Sequence, residues 1–330
     1  MAKGRGTGRP PRNAARSLRS ALVVVNAKAG TVRSRGADSV KALVQEKLSP
    51  HYSPLDVVLA DGDVLPAVRK ARDGKTHDVI IAGGGDGTIT SVASELLESG
   101  VVMGLLPLGT MNFFVQALGF SPVLETALDQ LGTSVERKVD VGVANERIFL
   151  HQVSFGLQPR MGRIRERIGY SSRFTKMLAG VRAFLLLAAR PKLVRVIVDA
   201  DGEVRRVKSP LLVISNNPLE GGEKPTLPAS LEDGLVGIYA LGPLSFGSVF
   251  RLGLDYLANR VVKNPAVEAR TAGKVTVART GWRQRRKISK GLLVTMDGEV
   301  MVLENPVTIT IKPKSLAVLS PAAADKPATA

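Results

Sequence analysis

Cysteine is absent from the chain, which excludes a disulfide framework, a thiolate metal site and a cysteine nucleophile. Aromatic residues are scarce, at 4% of the chain, and no aromatic stacking motif interleaves with the basic runs, as single-strand nucleic-acid binders require. Long apolar stretches are missing too. The longest near the middle, Ala183 to Ala189, falls far short of the roughly 18 residues that a membrane span needs, and Ala21 to Val25 is too brief for a signal-peptide core. A cytoplasmic protein is the expectation. Acid is lacking at the start, where Lys3, Arg5, Arg9, Arg12, Arg16 and Arg19 face no carboxylate in the first twenty positions. The formal net charge of +17 draws the protein toward an anionic partner. With stacking motifs missing, that partner is expected to be a membrane surface, with no specific nucleic acid.

What is present is an α/β pattern. The length of 330 residues suggests two domains. The stretch His77 to Thr90, HDVIIAGGGDGTIT, organises the first. Asp78 to Ala82 is a short β-branched run of the kind that makes a strand buried on both faces. Glycines 83, 84, 85 and 87 then surround Asp86, and Thr88 follows where a helix can begin. Such a turn points backbone N–H groups of Gly84, Gly85, Gly87 and Thr88 at one spot, a phosphate cradle backed by the helix dipole. A carboxylate in an anion cradle repels phosphate unless a divalent cation lies between them, so Asp86 argues for a metal-bound nucleotide. A second strand-end turn, Leu106 to Asn112, contains Gly109 and Thr110, and Thr110 is expected to reach the same phosphates.

The chain alternates strands and helices up to residue 133, which predicts a doubly wound parallel sheet. Helices are expected at 36–48, 64–72, 89–98 and 112–118. From 134 to 314 the pattern turns to antiparallel strands, including 193–199, 204–214, 235–241, 266–278, 292–297 and 306–311. Helical segments at 161–188 and 246–259 interrupt them, so a β-sandwich-like second domain is expected. Residues 1–20 read as a disordered tail. The segment 315–330 begins with an apolar stretch that can pack back on the first domain.

GGGDGT at 83–88 followed by LPLGTMN at 106–112 resembles the catalytic-domain family of diacylglycerol kinases, sphingosine kinases and bacterial lipid kinases, distant relatives of NAD kinases and phosphofructokinases. The likeness runs from Val23 to Ser320. It implies ATP as co-substrate and Mg²⁺, with Asn26 and Gly30 beside the nucleotide and Asn112 in the second turn. It also selects Thr295-Met296-Asp297-Gly298-Glu299 as the source of the base, with Glu299 the proton acceptor and Asp297 its neighbour. Read alone, Asp-Gly is an ordinary hairpin turn, and Asp201-Gly202-Glu203 repeats the same tripeptide. The resemblance further implies Asp140 as a carboxylate of the metal network between the domains. It implies a second, structural magnesium at Ser230, Asp233 and Leu235. Three departures stand out: Ala27 replaces the proline of the family's turn beside the nucleotide, Ala60-Asp61-Gly62 stands where the family often has a threonine that touches it, and Phe113 stands where relatives carry an Asp.

The function implied is an ATP-dependent lipid kinase that acts at an anionic membrane surface, with diacylglycerol or a sphingoid-type lipid as acceptor. A kinase of a soluble alcohol and a catalytically silent nucleotide-binding or lipid-binding protein are the alternatives. A basic stretch at Arg160 to Ile168 and the cluster Trp282 to Lys287 are candidate membrane contacts, and the sequence is compatible with a homodimer.

Overall fold

The computed structural model describes residues 18–157, 159, 193–219, 227–228, 230–242, 255, 261–279 and 291–322. The basic tail, the segment 161–188, nearly all of 246–259, the Trp282 cluster and the chain end lie outside the described residues.

The first half builds β1 (Arg19–Asn26), α1 (Gly30–Arg35), α2 (Ala37–Leu48), β2 (Tyr52–Ala60), α3 (Leu65–Gly74), β3 (Val79–Gly84), α4 (Asp86–Leu96), β4 (Val102–Pro107), α5 (Phe113–Ala117) and α6 (Leu124–Gly132). The strands pair in parallel in the order β2-β1-β3-β4. Val23 to Val25 and Val79 to Ala82 are fully buried, as continuous apolar strands covered on both faces must be. Burying each such side chain contributes roughly 1.5–3 kcal/mol. The α3–α4 pair and the α2–α6 pair pack as separate couples against these strands. The helix expected at 36–48 is preceded by a short one, α1. The two are divided at Gly36, whose φ of 90° no side-chain-bearing residue adopts readily. Helix α6, whose buried Leu124, Ala127, Leu128 and Leu131 keep helical spacing, is absent from the sequence reading.

The second half contributes β5 (Val135–Ala144), β6 (Arg147–Phe149), β7 (Gln152–Gly156), β8 (Val194–Ala200), β9 (Glu203–Ser209), β10 (Leu211–Asn216), β11 (Val236–Leu241), β12 (Val267–Ala272), β13 (Lys274–Arg279), β14 (Leu292–Met296), β15 (Glu299–Leu303) and β16 (Val307–Ser320). A six-stranded sheet runs β12-β11-β10-β7-β14-β15, and its pairings are antiparallel. It packs on the antiparallel end of a ten-stranded mixed sheet, ordered β2-β1-β3-β4-β16-β13-β8-β9 with β5 and β6 branching from β16. Phe149, Phe155, Leu212, Val275 and Ile309 fill the core between the two sheets.

Two expected strands are in fact pairs that belong to different sheets. The run 204–214 breaks at Pro210, which has no N–H for a ladder, leaving β9 in one sheet and β10 in the other. The run 266–278 breaks at Gly273 in the same way, between β12 and β13. The last strand is longer than expected. Residues 306–311 and the apolar stretch after them form one strand, β16, which pairs with β13 early, with β5 along most of its length and with β4 at Val318. β5 and β16 are therefore shared by both cores.

Candidate active site

The two glycine turns meet. β3 ends at Gly84 and α4 starts at Asp86, capped only by the extended Gly85. The first helical bond runs from Ile89 N–H to Gly85 O at 3.0 Å, so the N–H groups of Asp86, Gly87 and Thr88 lie ahead of the ladder. At the end of β4, the loop carrying Gly109 packs so tightly that a β-carbon on Gly109 would stand 2.5 Å from Gly85 Cα. Only glycine permits that approach. Asn26, at the end of β1, donates from Nδ2 to Thr88 Oγ1 at 3.3 Å and accepts Lys28 N–H on Oδ1 at 2.9 Å. Asn26, Gly84, Gly85, Gly87, Thr88 and Gly109 thus belong to one patch of backbone, and the exposed Thr110 stands beside Gly109. Asn112 shapes the second loop. Its left-handed backbone and its amide close the loop on itself, by Gly109 N–H to Oδ1 at 2.9 Å and Nδ2 to Gly109 O at 3.0 Å.

Asp86 turns away from the open solvent and fastens the second loop. Its Oδ2 accepts Asn112 N–H at 3.0 Å and its Oδ1 accepts Phe113 N–H at 2.8 Å. Burial pushes its carboxyl above the ordinary range; the two N–H donors oppose this, and the charge of Asp297 adds to it. The contact with residue 113 is made by backbone, so it survives the replacement of an Asp by Phe113.

Asp297 and Glu299 come from a two-residue hairpin between β14 and β15. Asp297 and Gly298 have φ of 46° and 91°, and Asp201 and Gly202, in the look-alike tripeptide, have 49° and 92°. Both tripeptides are hairpin turns with two left-handed residues. Their surroundings separate them. The Asp201 carboxylate accepts Gly273 N–H and Lys274 N–H within its own sheet edge. The Asp297 carboxylate accepts Leu150 N–H at 2.7 Å, His151 N–H at 2.9 Å, Gln152 N–H at 3.1 Å and the hydroxyl of Thr90 at 2.9 Å. Thr90 lies one turn into α4, so this last bond ties the hairpin to the glycine turn. Burial pushes the Asp297 carboxyl up against the pull of these four donors. Glu299 Oε1 stands directly over Gly87, where a β-carbon would collide with it.

Thr90, Leu150 and His151 are functional neighbours that the sequence reading does not reach. Thr90 resembles any helix residue, and Leu150 acts through its N–H alone. His151 is buried and stacks on Phe113, with ring centroids 4.5 Å apart and planes 14° apart. Burial lowers its pKa from 6.5 to about 4, against an opposing pull from Asp86. The imidazole is therefore neutral at physiological pH. Phe113 has exchanged a carboxylate for an aromatic lid on this ring, and the charge lost at 113 is not replaced by His151.

Among the described residues no group of three or more His, Asp or Glu side chains is placed to hold a metal. Asp140 takes Gly234 N–H on Oδ2 at 2.7 Å and Lys314 N–H on Oδ1 at 2.8 Å. It clamps the 230–235 turn to the bulge of β16 between Lys312 and Leu316. Its carbonyl accepts Asn216 Nδ2, which also reaches Leu150 O, at 3.0 and 3.1 Å, so Asp140 braces the strand that holds Asp297. At the turn expected to bind a second magnesium, Ser230 Oγ accepts Glu232 N–H and Asn217 Oδ1 accepts Asp233 N–H. Leu235 follows Gly234, a left-handed residue with φ of 68°. The unpartnered polar atom there, Asn217 Nδ2, is a donor and offers a cation nothing. These contacts order the turn through its N–H groups and involve none of the backbone carbonyls through which Ser230, Asp233 and Leu235 would hold a cation. Asp86 fits one: each of its oxygens keeps a free lone pair, and magnesium is commonly held by one or two carboxylates through its waters and substrate phosphates.

A cavity of about 220 Å³ opens beside Gly87, Asp297 and Glu299. A larger one, of about 890 Å³, lies between the β8–β9 and β11–β12 ends of the two sheets. It contains no residue of the glycine turns, whereas the smaller cavity borders Gly87 and the Asp297–Glu299 hairpin.

Residues 20–144 match the family model described as diacylglycerol kinase catalytic domain, and residues 151–320 match the YegS C-terminal NAD kinase beta sandwich-like domain. A Synechocystis protein named only as uncharacterized is 24% identical over 303 residues, 87% of this chain and 66% of its own length. The Bacillus subtilis diacylglycerol kinase is 24% identical over 251 residues, 72% of this chain and 76% of that enzyme. A crystal structure of a diacylglycerol kinase from Bacillus anthracis aligns with a TM-score of 0.66 at 19% identity, covering 92% of this chain and 97% of that one. With its glycine turns, its hairpin carboxylates and both halves matched, the chain belongs to the diacylglycerol kinase catalytic-domain family, carrying the YegS-type C-terminal domain.

Proposed function

We propose that the protein transfers the γ-phosphate of ATP to a hydroxyl of a lipid alcohol, with diacylglycerol or a sphingoid-type lipid as the starting candidates. The observation that carries this reading is the seat of Glu299 against Gly87, which sets a carboxylate from the second half of the chain on the turn that cradles phosphate. The N–H groups at the start of α4 and the Gly109 loop would hold the donor phosphates. Glu299 would take the proton as the acceptor oxygen bonds to the γ-phosphorus and the bond to the β-phosphate oxygen breaks, releasing ADP. Asp297 fixes the hairpin that carries the base, and Asp86 fixes the second loop. A divalent cation held by Asp86 would neutralise phosphate charge.

The acceptor must be met at an interface if it is a lipid, and the surplus of positive charge supports peripheral binding to anionic bilayers. Among the described residues no helix is long and apolar enough to cross a membrane. The test is transfer of label from γ-³²P ATP with Mg²⁺ to a lipid panel in mixed micelles. Label is expected in at least one lipid and should vanish in Glu299→Gln. No label in any lipid, or undiminished label in that variant, removes the proposal. Activity that is indifferent to micelles would point to a soluble acceptor instead.

A further inference from the structure

We propose that the larger cavity, between the open ends of the two sheets, is a second binding site, taking one hydrocarbon chain whose oxygen-bearing head is held at Arg270. The site does not rest on the kinase reading. Its volume of about 890 Å³ falls within the range of about 300–1,000 Å³ that encloses drug-sized ligands. Protein interiors leave few voids larger than a water molecule, so a space of this size is no packing defect.

The space has an identifiable origin in the sequence. Elsewhere in the sandwich, Phe149, Phe155 and Ile309 fill the layer between the sheets. At this end β8 contributes Ala200 and β11 contributes Ala240 to the same core, side chains too short to span sheets that stack about 10 Å apart. The edge strands beyond them supply no apolar bulk. On β9, Glu203 and Arg205 lie opposite Ala200 and Val198; on β12, Glu268 and Arg270 lie opposite Ala240 and Ile238. Residues directly opposite across a strand pair share a face, so these four charges stand on the inner faces of both edges. Inward charges protect edges from pairing with other chains, which accounts for the charges and not for the space they enclose.

The rim is a closed ring. Arg205 pairs with Glu203 and Glu268, and Arg270 pairs with the same two carboxylates. Arg270 gives Nε to Glu268 at 3.0 Å and Nη1 to Glu203 at 2.9 Å, which leaves Nη2 with no partner among the described residues. Two glutamates thus hold the guanidinium still while one nitrogen stays available, a donor set in advance for a carboxylate, phosphate or ester oxygen. Behind the rim the walls are aliphatic, from Val198, Val207, Leu212, Ile238 and Leu241. Among the described lining residues no aromatic ring is present for a base or flavin to stack on. Ser209, the one hydroxyl there, is spent on the carbonyls of Leu211 and Leu241. Such walls receive hydrocarbon and offer nothing to a polar body. The strands β12 and β15 are opposite edges of the six-stranded sheet, five spacings of about 4.8 Å or roughly 24 Å apart. A chain in this cavity therefore leaves Glu299 and the glycine turns open.

The test is calorimetric titration of the full-length protein with oleate and with oleoyl lysophosphatidate, each below its micelle concentration, for wild type, Ala240→Leu, Arg270→Ala and Val204→Ser. One saturable site per chain is expected for at least one amphiphile, and the arm that binds distinguishes a free fatty acid from a lysolipid. Ala240→Leu should weaken binding at least ten-fold while the midpoint of thermal unfolding holds or rises, because the added carbons enter empty space. Arg270→Ala should weaken it about ten-fold, the scale of a hydrogen bond to a charged group. Val204→Ser, at a residue 62% exposed on the outer face of β9, should leave it unchanged. No saturable binding of either amphiphile, wild-type binding in Ala240→Leu, an equal loss in Val204→Ser, or a lowered unfolding midpoint in Ala240→Leu overturns the proposal. Phosphoryl transfer enters none of these outcomes, so failure of the kinase reading and failure of this site are told apart.

Discussion

Replacing Asp297 by Asn tests whether the hairpin carboxylate is held as the hydrogen bonds imply. The native side chain satisfies four donors, two on each oxygen. Asparagine keeps one acceptor oxygen and turns the other position into an N–H₂. The favourable orientation leaves the oxygen toward His151 and Gln152 and points the amide at Thr90, whose hydroxyl can turn round and accept. Leu150 N–H is then left facing a donor. One buried unsatisfied donor costs about 1–3 kcal/mol, partly offset because no charge is buried any longer. The variant should therefore fold, destabilised by about 1–2 kcal/mol on that reasoning. Asp297→Ala, which strands three backbone donors at once, should cost several times more and endanger the whole of the roughly 5–15 kcal/mol typical of a domain.

The partner change, Thr90→Val, removes a hydroxyl donated to an ionised, buried acceptor, a bond worth about 1.5–3 kcal/mol. In the Asp297→Asn background the same change removes a neutral bond of about 0.5–1.5 kcal/mol. A double-mutant cycle measured by urea unfolding should thus show a coupling of about 1 kcal/mol, outside the roughly 0.3–0.5 kcal/mol scatter of independent sites. Phosphoryl transfer should fall in kcat more than in KM for ATP in either single variant, because the link between α4 and the base is loosened while the glycine turn is untouched. Strict additivity in the cycle, or wild-type turnover in both single variants, would refute the claim that this bond sets the base.

Gly109→Ala should depress transfer at least ten-fold and raise KM for ATP, because its β-carbon meets the Gly85 backbone at 2.5 Å and backbone cannot step aside; Gly273→Ala, away from the glycine turns and with nothing nearer than 3.6 Å, is the matched control in the same assay. Thermal or urea denaturation as a function of pH should separate carboxyl and imidazole effects of opposite sign. His151 stays unprotonated in the native state down to about pH 4 but takes up a proton in the unfolded chain below 6.5, so stability present above pH 6.5 is lost as the pH falls toward 4. The full loss is of order 3 kcal/mol at about 1.4 kcal/mol per pH unit, and His151→Phe, which keeps a ring on Phe113, should flatten that limb. The raised carboxyl of Asp297 works the other way, costing stability as pH rises above the ordinary value of 3.8, so Asp297→Asn should make the acid-side loss steeper. Asp140→Asn leaves either Gly234 N–H or Lys314 N–H unpaired and should lower stability by about 1–3 kcal/mol in urea titration.

Where local chemistry decides structure, the sequence is readable. The apolar runs of β1, β3 and β4, the glycine turns after two of them and the Asp-Gly hairpins follow from residues a few places apart. Asp201 and Asp297 show the limit. Both tripeptides make the same turn, and nothing within five residues reveals that one of them faces α4. That distinction depends on pairings 145 to 207 positions apart in the chain, which no local pattern carries. The breaks at Pro210 and Gly273 are visible as residues, but their consequence, a change of sheet, depends on which neighbour each half finds. His151 is invisible because its role comes from burial. Phe113 stands out in the sequence only as a lost carboxylate, whereas in the fold its ring answers His151 and its N–H answers Asp86.

The route by which Glu299 reaches Gly87 has a physical logic that begins far from either. β5 and β16 run through both cores and β16 pairs with β4 of the first half, so the two halves are joined by a shared sheet and not only by side-chain contact. Asp140 pins the bulge of β16 to the 230–235 turn, and Asn216 carries that brace to Leu150, whose N–H holds Asp297. Every link ends on backbone, which has no rotamer freedom to lose, so the hairpin is set by structure already ordered when the sheets form. A base on such a support starts in position, and the binding energy of the acceptor is free for orienting the hydroxyl instead of moving the carboxylate. The two buried carboxyls, Asp86 and Asp297, are costly to bury, and each is made tolerable by holding backbone N–H groups of a loop that must not move.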